Sequence, residues 1–191
     1  MDLLKAKIQA EGIVIGTDVL KVDSFLNHQI DPVLMNEIGK EFAKLFSDKK
    51  ITKILTIEAS GIAPAVFTGK ELGIPVIYAK KTTSLNLDEN TYNASVHSFT
   101  KKIDYIIRVS KKFLSKDDYV LIIDDFLANG QAIIGLSEII DMAGATLVGA
   151  GVVIEKGFQD GGALLREMGI RVESLAIVDK MSEGGIKFKN T

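Results

Sequence analysis

The sequence predicts an α/β fold with a mainly parallel sheet flanked by helices, on three observations. Short runs along the chain are nearly continuously apolar and rich in Val and Ile, which is how strands buried on both faces read. Segments with a helical stripe of apolar residues lie between these runs. Most of those segments stop at a glycine, as helix C-termini do. Strands that alternate with helices build βαβ units and hence a parallel sheet.

Residues 1–31 lie outside the alternation and read as an accessory piece that covers something. A helix is predicted over 32–46. Asp31 is its N-cap, Pro32 takes the first helical position, and Leu34, Ile38, Phe42 and Leu45 share one stripe. The run 54–57 is the first strand. A helix over 62–72 ends before Gly73 and leads to a strand over 75–79. Residues 80–102 then break the pattern. They are polar, rich in Thr, Ser and Asn, and show no clean period; so long a connection inside a compact domain is usually functional or mobile. Strands over 105–109 and 119–123 come next, then a helix over 131–143 that stops before Gly144. A strand over 147–154, a short helix over 162–168 before Gly169, and a strand over 172–178 complete the series.

The chain has 191 residues, 47% hydrophobic and 25% charged, which suits a single domain, 1–191, with a substantial core. A net charge of -2 lacks the basic excess of a nucleic-acid surface, so no nucleic-acid partner is expected. The absence of cysteine excludes disulfides and thiolate metal sites. Residues 1–10 carry Lys5 and Lys7 without the continuous apolar core of a signal peptide, and no apolar run approaches a membrane span. The expectation is a soluble, cytoplasmic protein with no membrane partner.

The chemistry concentrates in residues 119–132, YVLIIDDFLANGQA. An apolar strand runs into two adjacent acids, Asp124 and Asp125. A short loop with Ala128, Asn129 and Gly130 follows, and a helix opens at Gln131 and Ala132. Ligands of open α/β sheets bind at the carboxyl ends of strands. A helix start offers unpaired N–H groups and the positive end of its dipole, which together hold a phosphate. Gly130 lets the backbone come close to the phosphate oxygens. The acids stand where they accept hydrogen bonds from two ribose hydroxyls. The loop therefore suits a sugar with a 5'-phosphate. A second small-residue turn, Ala59-Ser60-Gly61, opens the helix at 62 and is a second candidate anion site. An acid pair alone is as often a helix cap, and a Ser turn as often just a turn. The strand–loop–helix context carries the reading.

On these residues the sequence resembles the type I phosphoribosyltransferase family, whose signature is an apolar strand, two acids, three residues and then Thr-Gly-x-Thr. The match covers VLIIDD and Gly130. Asn129 stands where the family usually has Thr, and Ala132 replaces the second Thr. Asn129 still donates through its amide and Ala132 does not, so phosphate holding leans on backbone N–H groups. Residues 58–63 resemble the family's diphosphate loop, which assigns Ala59, Ser60 and Gly61 to it. Lys80 and Lys81 correspond to basic residues that face the diphosphate. Residues 92–102, YNASVHSFTKK, resemble the flexible catalytic loop, with His97 and Lys101 as charge donors to the leaving diphosphate. Segments 19–32 and 153–158 are similar to the family's xanthine members in particular. The resemblance implies the type I phosphoribosyltransferase fold with a small hood from about residues 1–31 and a flexible loop at about 80–102. It also implies transfer of the phosphoribosyl group of 5-phosphoribosyl 1-diphosphate (PRPP) to a purine, Mg²⁺ bound through the diphosphate, and a homodimer.

The residues also bear on which purine is used. Lys156 has three donors and no acceptor, which suits a carbonyl at purine position 6 and mismatches the amino group of adenine. Asn27 donates to a carbonyl at position 2 and, turned over, serves guanine as well. Leu20 and Phe126 either contact the ring faces or pack in the core. The expected substrates are PRPP and a 6-oxopurine, xanthine first. Guanine and hypoxanthine, or adenine, remain open, and so does a PRPP-binding regulator of purine genes without catalysis. No protein ligand of the metal is identifiable from the sequence.

Overall fold

The computed structural model describes residues 1–82, 89–98, 103–182 and 184–189. Its elements in chain order begin with α1 (Asp2–Glu11), β1 (Ile13–Ile15), β2 (Val19–Lys21) and a π-helical turn (Asp23–Asn27). Then come α2 (Pro32–Leu45), β3 (Lys53–Ile57), α3 (Ile62–Leu72), β4 (Val76–Thr82), β5 (Thr91–Ser98) and β6 (Ile103–Ser110). The remainder is β7 (Tyr119–Leu127), α4 (Gln131–Met142), β8 (Thr146–Lys156), α5 (Gly161–Glu167), β9 (Val172–Ser182) and β10 (Gly185–Phe188).

The helix boundaries follow local chemistry. The Asp31 carboxylate accepts the N–H groups of Val33 (3.0 Å) and Leu34 (3.1 Å), two of the donors that every helix start leaves unpaired. At the other end of α3 the chain stops at Gly73, whose φ of 67° is left-handed. The two helices cross closely at Gly39, where a Cβ would lie 2.6 Å from the carbonyl oxygen of Phe67.

The large sheet has the order β10-β9-β8-β7-β3-β4-β6-β5, with the five strands from β9 to β4 parallel. Successive residues of its central strand enter opposite cores. Leu121 and Ile123 pack with Phe42 of α2, Ala65 of α3 and the N-terminal piece, while Val120 and Ile122 pack with Leu136 and Ile140 of α4. That two-sided burial is the reason the strand reads as an unbroken apolar run. Leu4, Ile8, Leu20 and Phe25 belong to the first core, so the N-terminal piece is seated on the sheet. Its two strands form a separate antiparallel hairpin.

Three expectations are corrected. Residues 105–109 belong to β6, which is antiparallel to β4 instead of parallel. Part of the stretch thought to have no period is β5, paired with β6 along its whole length. Its period of two is present, with Tyr92, Ala94 and Val96 alternating with Asn93, Ser95 and His97, but the apolar half is small and the polar half dominates the composition. Ala94 and Val96 are buried, and a Cβ on Gly135 of α4 would lie 2.6 Å from Val96 Cγ2. The third correction is length. β7 continues through the acids to Leu127, because β8 pairs with it up to Leu127↔Glu155. Among the described residues no helix is long and apolar enough to cross a membrane.

The tightest inner contact is testable. A Cβ on Gly151 of β8 would lie 2.7 Å from Ile123 Cδ1 and 2.8 Å from Phe42 Cδ1, all in a fully buried layer. Gly151→Ala should lower stability by about 1–3 kcal/mol in urea unfolding, the usual cost of overpacking. An unchanged midpoint would mean that Phe42 moves freely.

Candidate active site

Asp124 and Asp125 lie near the end of β7, between β3 and β8. Asp124 is only 4% exposed, and its Oδ1 accepts the backbone N–H of Asp125 at 3.0 Å. Burial, and after it the charge of Asp125, pushes the Asp124 carboxyl well above the usual carboxylate range. Burial raises Asp125 as well, and the Lys81 ammonium acts against both shifts. Burial, reinforced by Asp124, also raises the Tyr105 hydroxyl.

Past Leu127 the chain turns through Ala128, Asn129 and Gly130 into α4. Gly130 has φ +80°, a conformation that L side chains rarely adopt, so this turn favours a glycine immediately before the helix. Residues 127–133 wrap around a cavity of ≈ 210 Å³ that Asp124, Phe126, Tyr105 and His97 also line. An acid, an aromatic ring and a helix N-terminus with Gln131 and Ala132 thus share one small space.

The turn between β3 and α3 touches the acid directly. A Cβ on Gly61 would collide with Thr56 Oγ1 and lie 3.1 Å from Asp124 Oδ1. Ala59 and Ser60 form the rest of the turn, and the Glu58–Ala59 peptide is cis. The carboxylate of Glu58 accepts the backbone N–H of Lys81 (2.7 Å), which ties the turn to β4.

Lys80 and Lys81 were grouped by sequence, and the structure separates them. Side chains alternate along a strand. Lys81 lies 5.4 Å from the Tyr105 ring centroid and acts on both acids. Lys80 instead lines a second cavity with Tyr78 and Arg108. His97 bonds through Nδ1 to Asp104 Oδ1 (2.7 Å) across the β5–β6 pair. Lys101 lies outside the described residues, as do 99, 100 and 102 of the stretch read as a catalytic loop.

The Lys156 ammonium is 6.0 Å from the Phe126 ring centroid and donates to the carbonyl of Asp18 (2.7 Å) in the N-terminal hairpin. Burial lowers its pKa. Leu20 is a core residue at 6% exposure, and Asn27 is exposed at the end of the π-helical turn.

Sequence reasoning passed over Glu155. It is 4% exposed, and Arg166 grips it with two hydrogen bonds (3.0 and 2.8 Å) while Ser174 donates to the same carboxylate. Burial would raise Glu155, yet these partners outweigh it and its pKa is lowered. An acid inside an apolar strand was the available signal. Among the described residues no group of three His, Cys, Asp or Glu is placed to hold a metal.

Residues 27–161 match the phosphoribosyl transferase domain. The chain belongs to the phosphoribosyl transferase family. This phosphoribosyl transferase is 61% identical over 189 residues to the xanthine phosphoribosyltransferase of Oceanobacillus iheyensis, covering 99% of this chain and 97% of that one. It is 58% identical over 188 residues to the xanthine phosphoribosyltransferase of Ruminiclostridium cellulolyticum, covering 98% and 99%. Among solved structures it resembles the adenine phosphoribosyltransferase of Trypanosoma brucei in complex with AMP, pyrophosphate and ribose-5-phosphate. The TM-score is 0.76 at 19% identity, over 91% of this chain and 78% of that one. The adenine phosphoribosyltransferase of Thermoanaerobacter pseudethanolicus gives a TM-score of 0.73 at 21% identity, over 91% and 98%. These likenesses establish the phosphoribosyl transferase fold.

The buried acid makes a prediction of its own. With its pKa raised on folding, Asp124 binds a proton more tightly in the native state than in the unfolded chain. Its contribution is therefore most favourable at low pH and is lost as pH rises from the ordinary carboxylate range through the folded value. Asp124→Asn abolishes that loss. In urea unfolding the variant should gain on the wild type as pH rises above the ordinary carboxylate range, and the gap should narrow as pH falls back toward it. A gap that does not depend on pH would show that Asp124 titrates normally.

Proposed function

We propose that this chain transfers the 5-phosphoribosyl group of PRPP to xanthine, forming xanthosine 5'-monophosphate and releasing diphosphate. The observation that carries this reading is that Asp124 stands between the two candidate anion turns. Gly61 lies against Asp124, which shares its cavity with the Gly130 loop and the start of α4. One ligand with a phosphate at one end and a diphosphate at the other would span both. The curated relatives that supply the base named here cover nearly the whole chain.

In this reading the 5'-phosphate rests on the backbone of Ala128, Asn129, Gly130, Gln131 and Ala132, and the diphosphate rests on Ala59, Ser60, Gly61 and Lys81. Lys80, on the opposite face, is left out of the diphosphate site within its own chain. Asp124 and Asp125 accept the ribose hydroxyls. The C1'–O bond to diphosphate breaks ahead of the new bond, its electron pair leaving with diphosphate; positive charge develops on the ribose, and the base nitrogen then bonds to C1' and loses its proton to the medium. That charge favours the ionised form of a neighbouring carboxyl, so the pair is strongest as a stabiliser when it is needed. Mg²⁺, when bound, would neutralise charge on the leaving diphosphate. The donor set suits a metal held through substrate oxygens, because the two acids nearest the site are held toward their neutral forms.

Lys156, already fixed by Asp18, turns its remaining donors to the carbonyl at position 6, beside the Phe126 ring. Leu20 backs the hood from inside the core, and Asn27 faces position 2. The whole chain, 1–191, acts as one domain, with residues 1–31 as the hood and 80–102 as a closing loop. It works in the cytoplasm as a homodimer, as the family suggests.

The test is kcat/KM for xanthine, guanine, hypoxanthine and adenine with PRPP and Mg²⁺. Xanthine should lead and adenine should trail. Lys156→Ala should lower the xanthine value by the equivalent of about 1–3 kcal/mol, since a carbonyl is left unpaired in a dry site. A uniform small drop across all four bases would refute base reading by Lys156. Separately, Asp124→Asn and Asp125→Asn should each cut turnover in single-turnover assays while the fold survives; wild-type rates in both would move the site elsewhere.

A further inference from the structure

We propose that Gly161, at the start of α5, is a positioning residue for the phosphate loop. The proposal deepens the reading above and rests on it for the identity of the phosphate. Gly161 N–H donates to the carbonyl of Ala128 at 3.1 Å. A Cβ on Gly161 would collide with that oxygen and lie 2.6 Å from Gly130 N and 2.7 Å from the carbonyl carbon of Asn129. The loop and the first turn of α5 therefore touch backbone to backbone, and glycine is what permits it.

The backing is itself fixed. α5 has only seven residues, too few to hold its shape alone. Arg166 ties it to Glu155 at the end of β8, and Ser174 of β9 bonds the same carboxylate. Gly162 completes the fit, since a Cβ there would collide with Glu155 Oε1 and lie 2.6 Å from Arg166 Nη1. Leu165, fully buried, lies 3.4 Å from where a Cβ on Gly130 would sit. The chain of contacts runs from β9 through Glu155 and Arg166 to Gly161 and the loop.

Such a brace matters more here than where side chains hold the phosphate. Ala132 has no hydroxyl to offer, so the loop's N–H groups do most of the holding and must be aimed by their surroundings. Displacing such donors costs binding steeply.

Gly161→Ala tests the brace. Two readouts are needed: steady-state KM for PRPP and for xanthine, and amide hydrogen exchange of residues 129–132 without ligand. The expected result is a folded protein in which KM for PRPP rises about tenfold or more, KM for xanthine moves far less, and exchange at 129–132 accelerates. Arg166→Gln should repeat the pattern more weakly and decides the matter if Gly161→Ala does not fold. Leu164→Ala, on the outer face of α5, should leave both KM values alone, which separates bracing from general loosening of the helix. Wild-type exchange and an unchanged KM for PRPP in Gly161→Ala would overturn the proposal, as would an equal rise in both KM values. If the wild type does not turn over PRPP, the functional reading fails by itself, and the exchange arm still judges the brace.

Discussion

Asp124 sits inside the sheet almost out of reach of water, and a carboxyl in that position is costly unless its surroundings compensate. Much of the local sequence can be understood from that constraint. The neighbouring peptide of Asp125 supplies a hydrogen bond. Gly61 is stripped of a side chain so that its turn can lie against the carboxyl. Gly130 turns the chain sharply after β7 so that a helix N-terminus opens beside the same cavity, and Gly161 lets a second backbone press on that turn. Three glycines in three separate segments thus serve one acid and the loop that follows it.

The parallel strands and helices were legible because their burial is symmetrical. Two apolar faces write an unbroken Val/Ile run, and caps such as Asp31 and Gly73 mark helix ends with local chemistry. β5 was missed because a strand with one buried face shows itself only by alternation, and small residues such as Ala94 weaken the alternation. The acids and the glycine turn that lines the same cavity stand out in the sequence because they are contiguous. Lys80 and Lys81 are adjacent in sequence but have different neighbours in β4, because side chains alternate along a strand. Glu155 and Arg166 could be read individually, but not as partners, since pairing across an intervening turn is a property of the fold.

Besides its apolar packing, the N-terminal piece is tied to the sheet by a hydrogen bond at its hairpin. Lys156 belongs to the sheet and Asp18 to the N-terminal hairpin, and their contact fixes the ammonium beside the Phe126 ring. Selection of the base, under the proposed reading, thus depends on a piece of chain that lies outside the alternating βαβ pattern.

The strand order has a further consequence. Ile54 of β3 pairs with Val76 on one side and with Leu121 on the other, although the β4, β5 and β6 segments intervene in the chain. Contacts so far apart in sequence close late in folding, because loop entropy must be met before they form. The turn at Gly61 and the acid at Asp124 meet only where β7 lies beside β3. Under the proposed reading, a ligand that spans both binds the finished structure and stabilises it by mass action.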